Sequence, residues 1–184
     1  MDDHGFHGAT CQPGGGVVRR HGHVARAVGS LAARWSHCTP RYEQRVPAWD
    51  RPRVLTRANE DPVERAILDV EYADADGRRW IDVTVRHPVA GDTAAVYTAS
   101  RRPGEAARRA EREKHHRYPG DRLTAFVVEA TGRLGGEARQ WLKAHVRELP
   151  ADTQAAELAR AYRVVSCAIQ RQVAQQLRQA AGLR

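Results

Sequence analysis

Residues 66–88, AILDVEYADADGRRWIDVTVRHP, decide the fold, because they predict two β-strands joined by a tight turn. Each apolar, β-branched run contains one aspartate, Asp69 in the first and Asp82 in the second. Asp76-Gly77 lies between the runs and tolerates the positive φ that hairpin turns need. Aspartate is disfavoured in strands, and an unpaired carboxylate near a core is costly. The two aspartates are therefore the feature to explain.

Side chains alternate between the two faces of a strand, and this alternation assigns each residue of the hairpin to one face. On the second strand one face carries Trp80, Asp82, Thr84 and Arg86. On the first strand Asp69 shares a face with Glu71. If the hairpin brings the acidic faces together, Asp69 and Asp82 are neighbours, and Glu71 and Thr84 supply flanking oxygens.

The order of elements around the hairpin predicts an α/β (α+β) fold. We expect helices at 17–35, 105–118 and 137–148, a last long helix after Pro150 capped by Asp152 or Thr153, and strands at 42–46, 65–72, 78–86 and 123–129. Residues 47–62 and 89–104 are predicted to be loops. A hairpin followed by a helical crossover gives a mixed sheet of about four strands flanked by helices.

Three segments follow from this order. Residues 1–16 are rich in Gly and His and are expected to form a flexible arm, and 17–148 form the domain. Residues 149–184 hold the C-terminal helix, with an apolar stripe at Leu158, Tyr162, Val165, Ile169, Val173 and Leu177. That stripe needs a surface to cover it, either the domain itself, a missing neighbour or a second copy of the chain.

The charge of the 184-residue chain favours an anionic partner, with nucleic acid first, because its formal net charge is +8. All but two of its 30 basic residues are arginines, which suit bidentate phosphate contacts, although a GC-rich genome also explains an arginine excess. Three scattered cysteines indicate a reducing compartment. No apolar run approaches the length of a membrane span, so a soluble intracellular protein is expected.

The helix predicted at 105–118 carries two kinds of basic residue. Lys114 falls on one stripe with Ala107, Ala110 and Tyr118 and is predicted to point inward. Arginines in and before this helix are expected to hold a nucleic-acid backbone without reading its sequence: Arg101, Arg102, Arg108, Arg109 and Arg112.

Histidines raise two further questions. His21 lies on the apolar stripe of the first helix, either as a hydrogen-bonded core residue or at the edge of a site. His4, His7 and Cys11 lack a fourth ligand at zinc-finger spacing, so zinc is not expected.

Two carboxylates on adjacent strands suit Mg²⁺ or Mn²⁺, because such ions bind protein carboxylates together with phosphate oxygens. A bound ion would polarise a phosphate and activate water. The competing interpretation is that Asp69 and Asp82 simply pair with arginines such as Arg78, Arg79 or Arg86.

Several segments resemble the C-terminal endonuclease domain of site-specific non-LTR retrotransposons, a member of the PD-(D/E)XK restriction-like nuclease superfamily. These segments are TCQPGGGVVRRH, the AILDVEY…WIDVTVRHP pair, EREKHHRY, FVVEATGRLGGEA and VVSCAIQRQVAQQL. The resemblance implies that Asp69 and Asp82 bind the metal and take part in catalysis. The superfamily often places a lysine where this chain has Thr84, and the resemblance implies that Lys114 from the next helix replaces it. Leu68 stands where the name of the motif has proline, and the upstream zinc-knuckle cysteines are absent or degenerate.

The expected function is therefore that of a metal-dependent DNA endonuclease (a hydrolase) associated with a reverse transcriptase, which nicks target DNA to prime copying of the element RNA. The expected partners are target DNA, element RNA and an upstream polymerase domain, without a membrane, and the location is nuclear if the element is eukaryotic. The alternatives are a catalytically inactive nucleic-acid-binding fragment and a protein that interacts through its last helix.

Overall fold

The computed structural model describes residues 16–53, 61–88 and 93–181. The predicted arm at 1–16 lies almost wholly outside the described residues, and with it His4, His7 and Cys11. The helices are α1 (Gly16–Ser36), α2 (Thr93–Arg101), α3 (Glu105–Arg117), α4 (Gly136–Arg147) and α5 (Ala151–Ala180). The strands are β1 (Arg41–Arg45), β2 (Arg51–Pro52), β3 (Val63–Glu64), β4 (Ile67–Asp74), β5 (Gly77–Arg86) and β6 (Leu123–Glu129), and a short 3-10 helix spans Pro47–Trp49.

A four-stranded mixed sheet in the order β1-β4-β5-β6 forms the centre of the fold, as the sequence predicts. Strands β4 and β5 are antiparallel and are joined by a turn in which Asp74 pairs with Gly77. Gly77 has a φ of 110°, a left-handed conformation that glycine adopts at little cost. Strand β6 runs parallel to β5, because α2 and α3 carry the chain across one face of the sheet between them. The small β2–β3 pair lies apart from this sheet.

The two faces of the sheet bury different surfaces. One face packs on α1, α4 and α5 in a cluster that includes the fully buried Val28, Val70, Phe126, Leu142 and Ile169. The other face packs on α3 through small residues, with Ala107 and Ala110 against Ala125 and Val127. Because alanines are small, α3 lies close to the sheet. Its next turn, which carries Lys114, therefore also lies close to β5.

Helix α5 covers its apolar stripe with its own domain. Val165 and Ile169 are fully buried, and Leu158, Tyr162 and Val173 pack against the same cluster. Hydrogen bonds from Arg20 to Gln176 and from Arg34 to Glu157 show that α5 runs antiparallel along α1. The domain itself therefore covers the stripe from Leu158 to Val173, while Leu177, its last member, is 36% exposed.

Glycine has a specific place in α1. A Cβ atom at Gly29 would collide with the ring of Tyr42, which crosses the helix from β1. The glycine weakens the helix by propensity, but it lets the edge strand reach across.

Three local predictions are wrong. Residues 93–101 form the nine-residue helix α2 rather than part of a loop; the sequence did not predict it because the segment is short and its Thr, Val, Tyr and Ser residues have modest helix propensity. Within the predicted loop 47–62 the described residues include the 3-10 turn and the short strand β2, whose partner β3 begins just after the loop, at Val63. No side chain caps α5: the Thr153 hydroxyl donates instead to the carbonyl of Pro150 at 2.8 Å, because Pro150 itself is the N-cap.

Candidate active site

Asp69 and Asp82 meet where the β4–β5 ladder ends. The last regular pair is Val70 with Ile81, and Asp69 and Asp82 are the next residues on the two strands, where their carboxyl groups interact. Oδ2 of Asp69 accepts a hydrogen bond from the Val83 N–H at 2.6 Å, so a side chain takes the place of the strand carbonyl. The structure thus brings together the two carboxylates that the sequence predicted as neighbours.

Asp82 is buried, with only 6% of its side chain exposed, and Lys114 is its counterion. Nζ of Lys114 lies 2.5 Å from Oδ2 of Asp82. Burial raises the pKa of Asp82 to about 6, the Lys114 charge opposes that rise, and the Asp69 charge adds to it. Lys114 therefore points inward to the aspartates, on the stripe where the sequence placed it.

His21 closes the other side of the pair. Its Nε2 lies 3.1 Å from Oδ2 of Asp69 and 3.0 Å from the carbonyl oxygen of Val83. A carbonyl only accepts, so Nε2 carries the hydrogen. The hydrogen bond to Asp69 raises the pKa of His21, and burial opposes this rise. With 37% of its side chain exposed, His21 stands at the edge of the site and is not a core histidine.

Asp69 and Asp82 do not pair with the arginines that the competing interpretation named. Arg79 binds Asp74 and Asp76 in the turn, Arg86 binds Glu113, and Arg78 lies 3.6 Å from Glu71. The partners of Asp69 and Asp82 are instead a histidine, a backbone N–H and a lysine.

Glu71 and Thr84 flank the pair differently. Glu71 forms ion pairs with Arg41 at 3.3 Å and with Arg78, so its carboxylate is committed elsewhere. Thr84 pairs with Val127 of β6 and shares the face of Asp82. The predicted role of flanking oxygen is consistent with the position of Thr84 only.

The arginines predicted to hold a phosphate backbone are partly neutralised within the helix. Glu105 binds both Arg108 at 2.9 Å and Arg112 at 3.2 Å, and Glu113 lies 3.6 Å from Arg109. The guanidinium of Arg101 stacks 4.6 Å from the ring centroid of Tyr97, and Arg102 is exposed. The face is therefore a mixture of exposed arginines and intrahelical ion pairs.

Sequence reasoning missed the groups that hold α3 in place. Glu137, in the first turn of α4, accepts from the Ala125 N–H at 3.0 Å, and its other oxygen lies 2.8 Å from Nε2 of His115. Glu111 accepts in turn from the Glu137 N–H at 2.9 Å, in a space that a Cβ atom at Gly135 would fill. Only the acidic residue at the helix start was visible in the sequence, and it does not reveal a partner on another helix.

The donor set fits a divalent cation that retains water. In the described ranges, no group of three or more His, Cys, Asp and Glu side chains could hold a metal ion. Magnesium sites often use only one or two carboxylates and complete their shell with water and substrate phosphate. Oδ2 of Asp82 is buried against Nζ of Lys114 without a well-directed hydrogen bond from any described residue, so a cation that binds this oxygen must share it with Lys114. Asp69 and Asp82 supply two neighbouring carboxylates, a ligand type that Mg²⁺ and Mn²⁺ bind.

Comparison with protein-family models, with curated proteins and with solved structures found no match to the chain. Among the described helices, none is long and apolar enough to span a membrane.

Proposed function

We propose that the chain is a metal-dependent DNA endonuclease domain of a retroelement, which nicks target DNA so that the free 3′ end primes reverse transcription. The convergence of Asp69, Asp82 and Lys114 at one point carries this proposal. The retrotransposon part of it rests on the sequence segments that resemble the endonuclease domain of those elements.

Each residue has a distinct task. Asp69 and Asp82 hold Mg²⁺ or Mn²⁺, which when bound polarises the phosphate and activates water. Lys114 Nζ, beside Asp82, orients the attacking water or offsets the charge that develops on the phosphate. Burial of Asp82 keeps these charges in a region of low dielectric, where they interact more strongly than in water.

Binding of DNA is assigned to the exposed arginines at the start of α3 and just before it. Phosphate contacts of this kind fix the position of the duplex and weaken steeply as salt rises. Glu105 and Glu113 hold three of these arginines in the free protein, so binding exchanges intrahelical ion pairs for contacts with phosphate. Target DNA in a eukaryotic host would place the protein in the nucleus, with element RNA and a polymerase domain as its partners.

The second candidate is an inactive nucleic-acid-binding domain on the same fold. It is favoured by Thr84, which stands where the superfamily often has a lysine. The third candidate, an interaction protein, loses most of its supporting feature because the stripe of α5 packs on its own domain as far as Val173.

The test incubates purified protein with supercoiled plasmid in Mg²⁺, Mn²⁺ or EDTA, beside Asp82→Asn. We expect nicking that requires the metal and falls at least about 100-fold in the variant, because one of two carboxylate ligands is lost. Asp74→Asn is the matched control, since Asp74 lies on the same hairpin but is bound by Arg79 at 2.9 Å. Nicking in EDTA, or full activity of Asp82→Asn, contradicts the proposal. Salt-sensitive binding without nicking supports the second candidate.

A further inference from the structure

His21 occupies a position that is within hydrogen-bonding distance of two acceptor oxygens at once. Its Nε2 contacts Oδ2 of Asp69 at 3.1 Å and the carbonyl oxygen of Val83 at 3.0 Å. A carboxylate and a backbone carbonyl are ligand types that hard divalent cations prefer. The N–H of His21 therefore fills, in the free protein, the place that a cation would take between these oxygens.

The lone pairs of Oδ2 on Asp69 are already in use. One hydrogen bond comes from the Val83 N–H at 2.6 Å and the other from His21. A cation that reaches this oxygen must displace one of these donors. The Val83 N–H is fixed within β5, whereas His21 is a side chain with 37% of its surface exposed, so His21 is the donor that can leave.

The helix that carries His21 does not need to move for this to happen. Val24 and Val28 of α1 are fully buried against the sheet, and Arg20 is anchored to Gln176 at 3.0 Å. We therefore expect rotation of the His21 side chain alone to clear the two oxygens, while α1 stays in place.

We infer that His21 is a displaceable stand-in for the metal ion: it competes with a divalent cation for Asp69 and Val83, and its side chain must swing away before the ion binds. This inference rests on the proposed metal site. It adds that the free protein protects its carboxylates with a residue of its own, at the expense of metal affinity.

The experiment measures Mn²⁺ binding by calorimetry at one fixed pH for the wild-type chain, His21→Ala, Asp82→Asn and His116→Ala. We expect His21→Ala to bind Mn²⁺ about tenfold more tightly, since a hydrogen bond to a charged group no longer opposes the ion. His116→Ala is the control, because His116 is an exposed histidine on α3 and should leave the affinity unchanged. Asp82→Asn should bind more weakly than wild type.

A second measurement needs no variant. The imidazole resonances of His21 in the wild-type chain should change as diamagnetic Mg²⁺ is added, with loss of the signal of the hydrogen-bonded Nε2 proton. Equal or weaker binding by His21→Ala, while Asp82 is still required, overturns the inference alone and leaves the proposed metal site standing. Absence of binding in both wild type and His21→Ala overturns the metal site and the inference together. Persistence of the Nε2 proton signal at saturating Mg²⁺ also overturns the inference.

Discussion

Asp82 lowers the stability of the folded chain when no cation is bound, because its carboxylate is only 6% exposed and lies beside a second carboxylate. Lys114 is the cation that offsets this loss of stability in the free protein, through the 2.5 Å contact between Nζ and Oδ2. Most lysines on a helix extend into solvent. Lys114 instead continues the alanine stripe that faces the sheet. We therefore expect Lys114 to contribute to the stability of the fold as well as to the proposed catalysis.

Replacing Lys114 with methionine should lower the free energy of unfolding by about 3 kcal/mol, because it leaves Asp82 buried without its counterion. Adding Thr84→Lys should recover part of the loss, since position 84 lies on the same face of β5, two residues beyond Asp82. Urea denaturation in EDTA measures both effects. Lys143→Met, at the exposed second lysine of the chain, is the control and should change little. A Lys114→Met variant as stable as wild type would contradict the assignment of Lys114 as counterion.

At the scale of elements, the site depends on how α3 is fixed over the sheet. Alanines set its distance from β6, while Glu137 ties it to α4 and to the outer edge of β6 through His115 and Ala125. Glu137 touches neither Asp69 nor Asp82 in any described contact, so it is a positioning residue.

Glu137→Ala should lower the free energy of unfolding by roughly 1–3 kcal/mol, because the buried N–H of Ala125 loses its acceptor. Hydrogen exchange should become faster in α3, around His115, but not in α1. Glu148→Ala, at an exposed glutamate that ends α4, is the control. Unchanged exchange in α3 would show that the alanine contacts alone hold the helix.

The sequence predicted the elements whose pattern is local. Period two in the strands placed Asp69 beside Asp82, and the helical stripe pointed Lys114 inward. The apolar stripe of α1 also predicted that His21 faces the sheet. It could not show whether His21 is a core residue or a site residue, because that depends on which part of the sheet lies opposite the histidine. The pairing of Glu137 with His115 could not be predicted from the sequence, since it depends on the spacing between two helices. Helix α2 was missed because it is only nine residues long and contains several residues of modest helix propensity.

For the whole molecule, the antiparallel pairing of α5 with α1 makes the C-terminal helix part of the domain. Residues 151–180 extend the layer formed by α1 and α4 on one face of the sheet. The boundary expected at 148 and 149 is thus a turn between packed helices within the described chain.

Ile169→Ala should therefore cost about 2–5 kcal/mol of unfolding free energy, because Ile169 is fully buried in the main core. Leu177→Ala is the matched control near the end of the same helix, where the leucine is 36% exposed, and we expect a loss below about 1 kcal/mol. Thermal or urea unfolding measures both. Equal small effects would indicate that α5 contributes little to the domain and is available to a partner.

Both borders of the four-stranded sheet discourage the addition of a further strand. Along β6, the N–H of Ala125 is taken by Glu137, and Val127 and Val128 are engaged by the returning segment at Leu134 and Gly135. Along β1, charged side chains dominate, and Glu43 adopts a φ of 52° that breaks the repeat of the extended backbone. A protein that joined others by extending its sheet would need a regular row of unpaired backbone groups on one of these borders. Fibre formation through the borders of this four-stranded sheet is disfavoured for the same reason.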